Sequence, residues 1–201
     1  MVARGAMQVL LGAQEVARGL RRIALEICER HRNLNDLLLI GVRRGGVPVA
    51  LEIARAIREL EGVEVAMGTV DVTLYRDDAA TALPNPRIGP SEIPGAVTGK
   101  RVILIDDVLH TRRTARAALD AVLDYGRPAN IELVAVVDRA GRELPIQPDY
   151  CVRRLESVAS HQRVDVCADA EGRLQAVLLP KDAPSFPPPQ SLNPSTLGDE
   201  K

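Results

Sequence analysis

The densest chemistry in this sequence lies in the run Val102-Ile-Leu-Ile-Asp106-Asp107-Val108-Leu109-His110-Thr111-Arg112-Arg113-Thr114. A buried strand of this kind delivers two adjacent carboxylates to its carboxyl end, where open α/β sheets bind ligands. The hydroxyl-bearing loop that follows opens a helix. Free backbone N–H groups at a helix start, with the positive end of its dipole, suit a phosphate dianion. The two acids can accept hydrogen bonds from sugar hydroxyls or help hold Mg²⁺. One site would then take a phosphorylated sugar, phosphate on the loop and ribose diol on the acids. The plainer alternative is that Asp106 and Asp107 only cap the helix, with Thr111 and Thr114 as its first residues.

Several elements must position this run. Val16, Leu20, Ile23 and Ile27 recur at helical spacing opposite a charged face, which predicts a first amphipathic helix. Leu37–Val42 is a short, wholly apolar run and predicts a buried strand. Arg43–Val47 is a glycine-containing loop, and Pro48 stands where a second helix would begin. That helix carries Val49, Ile53, Ile57 and Leu60 and closes near Gly62. Val63–Tyr75 predicts a strand or strand pair, and Arg76–Lys100, rich in proline and glycine, a long lid-like loop. Arg101–Ile105 predicts a buried strand ending in the two acids, Thr114–Tyr125 a third helix, and Ile131–Val137 another buried strand. Arg163–Cys167 and Arg173–Leu179 flank an Asp-Ala-Glu-Gly turn and predict a late hairpin. The alternation of strand and helix argues for a doubly wound, mainly parallel α/β sheet. The expected organisation is one domain over residues 12–180, with a short N-terminal extension at 1–11. Residues 181–201, rich in Pro and Ser, read as a disordered tail.

Composition narrows the class. Of 201 residues, 46% are hydrophobic and only 2% aromatic, so the core must be aliphatic. The formal net charge of −1 excludes a polycation, so nucleic acid could be met only by a local basic face. Cys28, Cys151 and Cys167 form no C-x-x-C pair and no zinc set, which predicts reduced thiols and a cytoplasmic setting. No apolar run is long enough to span a bilayer.

The run Val102–Thr114 resembles the phosphoribosyl-diphosphate motif of type I phosphoribosyltransferases. Further strings narrow the resemblance to the PyrR family of pyrimidine regulators with uracil phosphoribosyltransferase activity. These are Thr69-Val-Asp71-Val-Thr-Leu-Tyr75-Arg76-Asp77-Asp78, Ala115–Ala121, Tyr125-Gly-Arg-Pro128, and Val137-Asp138-Arg139 with Arg142-Glu-Leu-Pro-Ile146. The likeness runs from about Val16 to Leu179.

The resemblance implies the type I phosphoribosyltransferase fold with a small hood and a mobile lid loop. It also implies a reaction of uracil with 5-phosphoribosyl-1-diphosphate (PRPP), giving UMP and diphosphate. Asp106 and Asp107 would bind the ribose hydroxyls and Mg²⁺, directly or through water. Thr111, Arg113 and Thr114 would sit in the 5-phosphate loop, with Val108, Leu109, His110 and Arg112 also among the substrate-binding residues. Arg43, Arg44, Gly45 and Gly46 would hold the leaving diphosphate, and Tyr75, Arg76, Asp77 and Asp78 would begin the lid. Arg139 and the segment through Tyr150 would lie at the hood over the base. UMP or UTP would be ligands, and the family forms dimers or higher oligomers. Its attenuator branch binds mRNA through a basic face, which Arg21, Arg22, Arg30, Arg142 and Arg153 would supply here.

This chain departs from the family pattern in three places. Arg112 stands where the family has glycine, so a long side chain either crowds the loop or points outward and adds charge. The diphosphate loop reads Arg44-Gly45-Gly46 where Thr-Arg-Gly is common. Leu25, Gly141 and Gln147 stand where His, His and Arg are typical of the RNA face, and the remaining arginines read equally as a solvated helix surface. Three functions follow as expectations: an enzyme making UMP, a nucleotide-sensing regulator without turnover, or a phosphoribosyltransferase for another base such as a purine.

Overall fold

The computed structural model describes residues 7–73, 75, 91–184 and 186. Chain order is β1 (Gln8–Leu11), α1 (Ala13–Arg30), a 3₁₀ turn (Leu34–Asp36), β2 (Leu37–Val42), α2 (Gly46–Glu61), β3 (Ala66–Val70) and β4 (Arg101–Leu109). It continues through α3 (Arg113–Leu123), β5 (Asn130–Arg139), β6 (Tyr150–Leu155), β7 (Gln162–Ala168) and β8 (Leu174–Pro180).

Five parallel strands form the main sheet in the order β3-β2-β4-β5-β6. α1 and α2 cover one face, where Val16, Leu20, Ile23 and Ile27 meet Leu39, Ile103, Ile105 and Val134. α3 covers the other, setting Ala117, Ala118, Ala121 and Val122 against Leu38, Ile40, Leu104 and Ala135. Burying each large aliphatic side chain of these stripes stabilises the fold by roughly 1.5–3 kcal/mol. The doubly wound architecture and the aliphatic core are therefore as the sequence pattern requires. A second, antiparallel sheet of order β1-β8-β7 forms the small hood, whereas Tyr150, expected there, begins β6 of the main sheet. Among the described residues, no helix is long and apolar enough to cross a membrane.

Several boundaries differ from expectation. Only Ala66–Val70 of the 63–75 stretch is a strand, because beyond Val70 the backbone turns and the Asp71 carboxylate accepts a bond from the Thr73 amide at 2.8 Å. The strand expected to stop at Ile105 continues to Leu109, held by β5 on its flank as far as the Leu109–Asp138 pair. Helix α3 ends at Leu123, two residues short of Tyr125. β6 carried no sequence signal, since polar Arg153 and Arg154 interrupt it at the sheet edge. Gln8–Leu11, set apart as an extension, pairs with β8. At the other end Arg163 bonds the carbonyls of Lys181 (3.0 Å), Ala183 (2.5 Å) and Pro184 (3.1 Å), so the start of the tail is held against β7. Residues 76–90 of the lid stretch, with Arg76, Asp77 and Asp78, lie outside the described residues, as do 1–6, 74, 185 and 187–201.

Candidate active site

The described substrate-site candidates lie at the carboxyl ends of the parallel strands, whereas the arginines of the expected RNA face lie elsewhere, Arg21, Arg22 and Arg30 on α1 and Arg153 in β6. Residues 43–45 leave β2, 71–73 leave β3, 110–112 leave β4, and Arg139 ends β5. The register Gly41–Ile105 and Leu109–Asp138 brings these exits side by side.

Asp106 and Asp107 lie inside β4. Asp106 is buried, and its carboxylate accepts the Asp107 amide at 3.0 Å. Asp107 accepts the Val108 amide at 2.9 Å. Neither acid caps α3, so the plainer reading of them fails. Burial pushes the Asp107 carboxyl above the ordinary carboxylate range, against the pull of Asp106 and the nearby amides, and the charge of Asp165 on β7 pushes the same way. A carboxylate disfavoured by burial is one that a bound cation would restore to its charged form.

The loop from β2 closes on these acids because it has no side chains in the way. A Cβ on Gly45 would overlap the Asp107 carboxylate, and one on Gly46 would overlap the Ile105 carbonyl. The Gly45-Gly46 pair thus lets the start of α2 lie on β4 beside the two acids. The Arg43–Arg44 peptide is cis. Arg43 turns to β3, donating to Thr69 Oγ1 at 3.1 Å and pairing with Glu92 at 3.3 Å. Arg44 is exposed and makes no hydrogen bond or ion pair among the described residues. Of the two basic residues expected at the diphosphate, Arg44 is exposed and Arg43 is engaged with Thr69 and Glu92.

Residues 110–113 open α3. Thr111 Oγ1 receives the Arg113 amide at 3.4 Å, and Arg113 pairs with Glu143 at 2.8 Å. Arg112 takes a left-handed backbone conformation, φ 76°, the region where glycine is at ease. Its side chain does not point outward: only 5% of the residue is exposed. The guanidinium donates to Asp138 Oδ1, to the carbonyls of His110 and Arg139, and to that of Ile146 at 3.3 Å. The His110 imidazole sits over Gly141, in the space where a Cβ there would go. Burial and the Arg139 charge hold His110 below its ordinary pKa.

Arg139 is half-buried, burial lowers its pKa, and its Nε has no hydrogen-bond partner among the described residues. An unsatisfied buried donor is costly, and a ligand acceptor would relieve it. Tyr75 donates to Asp124, and its carbonyl accepts from Arg116 at 3.0 Å, so Tyr75 is tied to α3 and the residue after it. On the proposed RNA face, Arg21 pairs with Glu59 at 2.8 Å and Arg22 pairs with Glu26 while donating to the Cys151 carbonyl. Arg30 faces Glu132, Asp149 and the Tyr150 ring. Arg142 and Arg153 are exposed.

Residues 8–170 match the family model described as a phosphoribosyl transferase domain. A bifunctional protein PyrR from Geobacter sulfurreducens is 46% identical over 173 residues, covering 86% of this chain and 97% of the relative. One from Chloroflexus aurantiacus is 45% identical, covering 85% and 93%. Another, from Deinococcus radiodurans, is 48% identical, covering 78% and 85%. The solved hypoxanthine phosphoribosyltransferase of Trypanosoma cruzi shares the fold at a TM-score of 0.64 and 21% identity, covering 86% of this chain and 96% of its own. A family match over residues 8–170 and PyrR relatives at 45–48% identity over most of the chain show that this chain belongs to the phosphoribosyl transferase family, among its PyrR proteins.

Proposed function

We propose that the chain transfers the 5-phosphoribosyl group of PRPP to uracil, giving UMP and diphosphate, and that it also serves as a PyrR-type pyrimidine regulator in the cytoplasm. The observation that carries this reading is the Asp106–Asp107 pair seated against Gly45, one loop from the start of α3. Such a site takes the ribose diol on the acids, the 5-phosphate on the 110–114 amides and hydroxyls, and the diphosphate beside Arg44.

In the reaction a uracil ring nitrogen bonds to the anomeric carbon, the bond from that carbon to diphosphate oxygen breaks, and the nitrogen loses its proton. Positive character grows on the ribose ring while negative charge grows on the leaving diphosphate. Arg44 stabilises the departing charge, Asp106 and Asp107 orient the ribose, and Arg139 offers a donor to a carbonyl of the base.

The donor set fits Mg²⁺. Among the described residues no group of three or more His, Cys, Asp or Glu side chains could enclose a metal. Two carboxylates completed by water and substrate oxygens are the usual surroundings of this ion. When bound, it neutralises diphosphate charge.

Mixing the protein with PRPP, Mg²⁺ and uracil, hypoxanthine or xanthine tests the reading. UMP formation with uracil supports it. Turnover of a purine alone replaces uracil as the substrate, and no turnover with any base refutes catalysis. For the regulatory role, Arg142 and Arg153 are the cations of the basic face not engaged in an ion pair among the described residues. RNA binding there would weaken with salt by the slope of few phosphate contacts. Light scattering would show at least a dimer.

A further inference from the structure

Arg112 occupies a backbone position suited to glycine, yet its guanidinium is buried and donates to acceptors from four residues. One of these, His110, is in its own loop; the other three, Asp138, Arg139 and Ile146, belong to the end of β5 and the segment after it. Three further contacts span the same gap. The Glu143 amide donates to the Thr111 carbonyl at 3.2 Å, Arg113 pairs with Glu143, and His110 rests on Gly141.

We propose that Arg112 is a positioning residue: it ties residues 110–113 to residues 138–146 and so holds the loop in its phosphate-binding shape before any ligand arrives. The inference rests on the reading of 110–114 as the phosphate loop. A loop built around glycine must lose backbone freedom when phosphate binds, whereas a loop already fastened does not. The planar fork of arginine spreads five donors over three nitrogens and reaches all four acceptors, whereas a lysine ammonium has three donors on a single nitrogen and cannot reach the four together. The fastening also joins the phosphate side of the site to Arg139, whose carbonyl Arg112 holds at 3.4 Å.

Arg112→Gly is a clean variant. Glycine adopts φ 76° without strain, and Asp138 keeps Arg154 as a partner at 3.0 Å. Hydrogen exchange on the unliganded protein, calorimetry with ribose 5-phosphate and steady-state kinetics would be compared between the natural chain, Arg112→Gly and Arg112→Lys. In Arg112→Gly, amides of 110–114 and 139–146 exchange at least about tenfold faster, and ribose 5-phosphate binding weakens about tenfold, as expected when the competent loop is only fractionally populated. The KM for PRPP rises by a similar factor while kcat stays within about twofold, the mark of lost ground-state and transition-state binding alike. Arg112→Lys behaves like the glycine variant. Ribose 5-phosphate binding that is unchanged or tighter in Arg112→Gly overturns the proposal and makes Arg112 an obstruction. If the natural chain binds no ribose 5-phosphate, the phosphate-site reading falls, and unchanged exchange in the glycine variant then refutes the ordering role separately.

Discussion

Gly45 lies so close to the carboxylate of Asp107 that a single added methyl group would overlap it. The contact joins the loop after β2 to the acids of β4, and it distinguishes two neighbouring glycines. At position 45 the obstructed atoms are the tip of a side chain, which can swing aside. At position 46 they belong to the Ile105 carbonyl, which cannot.

Gly45→Ala should therefore spare the fold and disable the site. Displacing Asp107 by an ångström is expected to lower kcat/KM about 100-fold, with little change in thermal midpoint. Gly46→Ala should instead destabilise the protein by about 1–3 kcal/mol through overpacking against backbone. Paired melting curves and kinetics check both.

Arg44 and Arg43 should likewise separate. Arg44→Ala removes an exposed cation with no ion pair among the described residues and is expected to raise the KM for PRPP about tenfold, worth about 1.4 kcal/mol, without altering stability. Arg43→Ala breaks the links to Thr69 and Glu92 and should lower the melting temperature.

Asp107→Asn should abolish turnover yet raise the melting temperature at neutral pH. Burial lifts the native carboxyl pKa above its unfolded value of about 3.8, so the ionised form weighs against folding. The native protein recovers that stability as pH falls to the unfolded value. The advantage of asparagine should accordingly shrink between neutral pH and about pH 4. Melting curves across that range in unliganded protein would show it.

Far from the site, His31, Glu132 and Tyr150 form a buried polar cluster beneath the amino ends of β5 and β6. His31 lies 3.0 Å and the Tyr150 hydroxyl 2.6 Å from Glu132. Burial opposes the Glu132 charge, but Tyr150 and His31 outweigh it and hold the carboxyl below its ordinary 4.5. Its depressed pKa contributes stability that is present above about pH 4.5 and lost as pH falls further. Burial and the bond to Glu132 push Tyr150 up to about 12, so its share is present below about pH 10 and lost by about 12. Glu132→Gln should cost about 1–3 kcal/mol near neutrality and flatten the acid limb of the stability curve.

Much of this was legible in sequence, for physical reasons. Period and apolar runs announced α1, α2 and the central strands, since each buries a continuous face. The acids and the loop after them stood out as a motif because they are contiguous. What escaped depended on long-range geometry. Nothing local tells that β4 stays paired through both acids, that the edge strand β6 forms, or that Gln8–Leu11 closes the hood against β8. The direction of Arg112 depended on three acceptors 26 and more residues away. Nor could spacing reveal that Arg43 faces Thr69 while Arg44 faces solvent.

The most direct test of a donor site built on the twin acids is calorimetric titration of the full chain with PRPP and Mg²⁺, beside an Asp106→Asn/Asp107→Asn double variant. Saturable one-site binding by the natural chain, weakened at least about 100-fold in the variant, is the predicted result, a difference of about 2.8 kcal/mol. Equal binding by the two proteins, or none by the natural chain, would contradict the account.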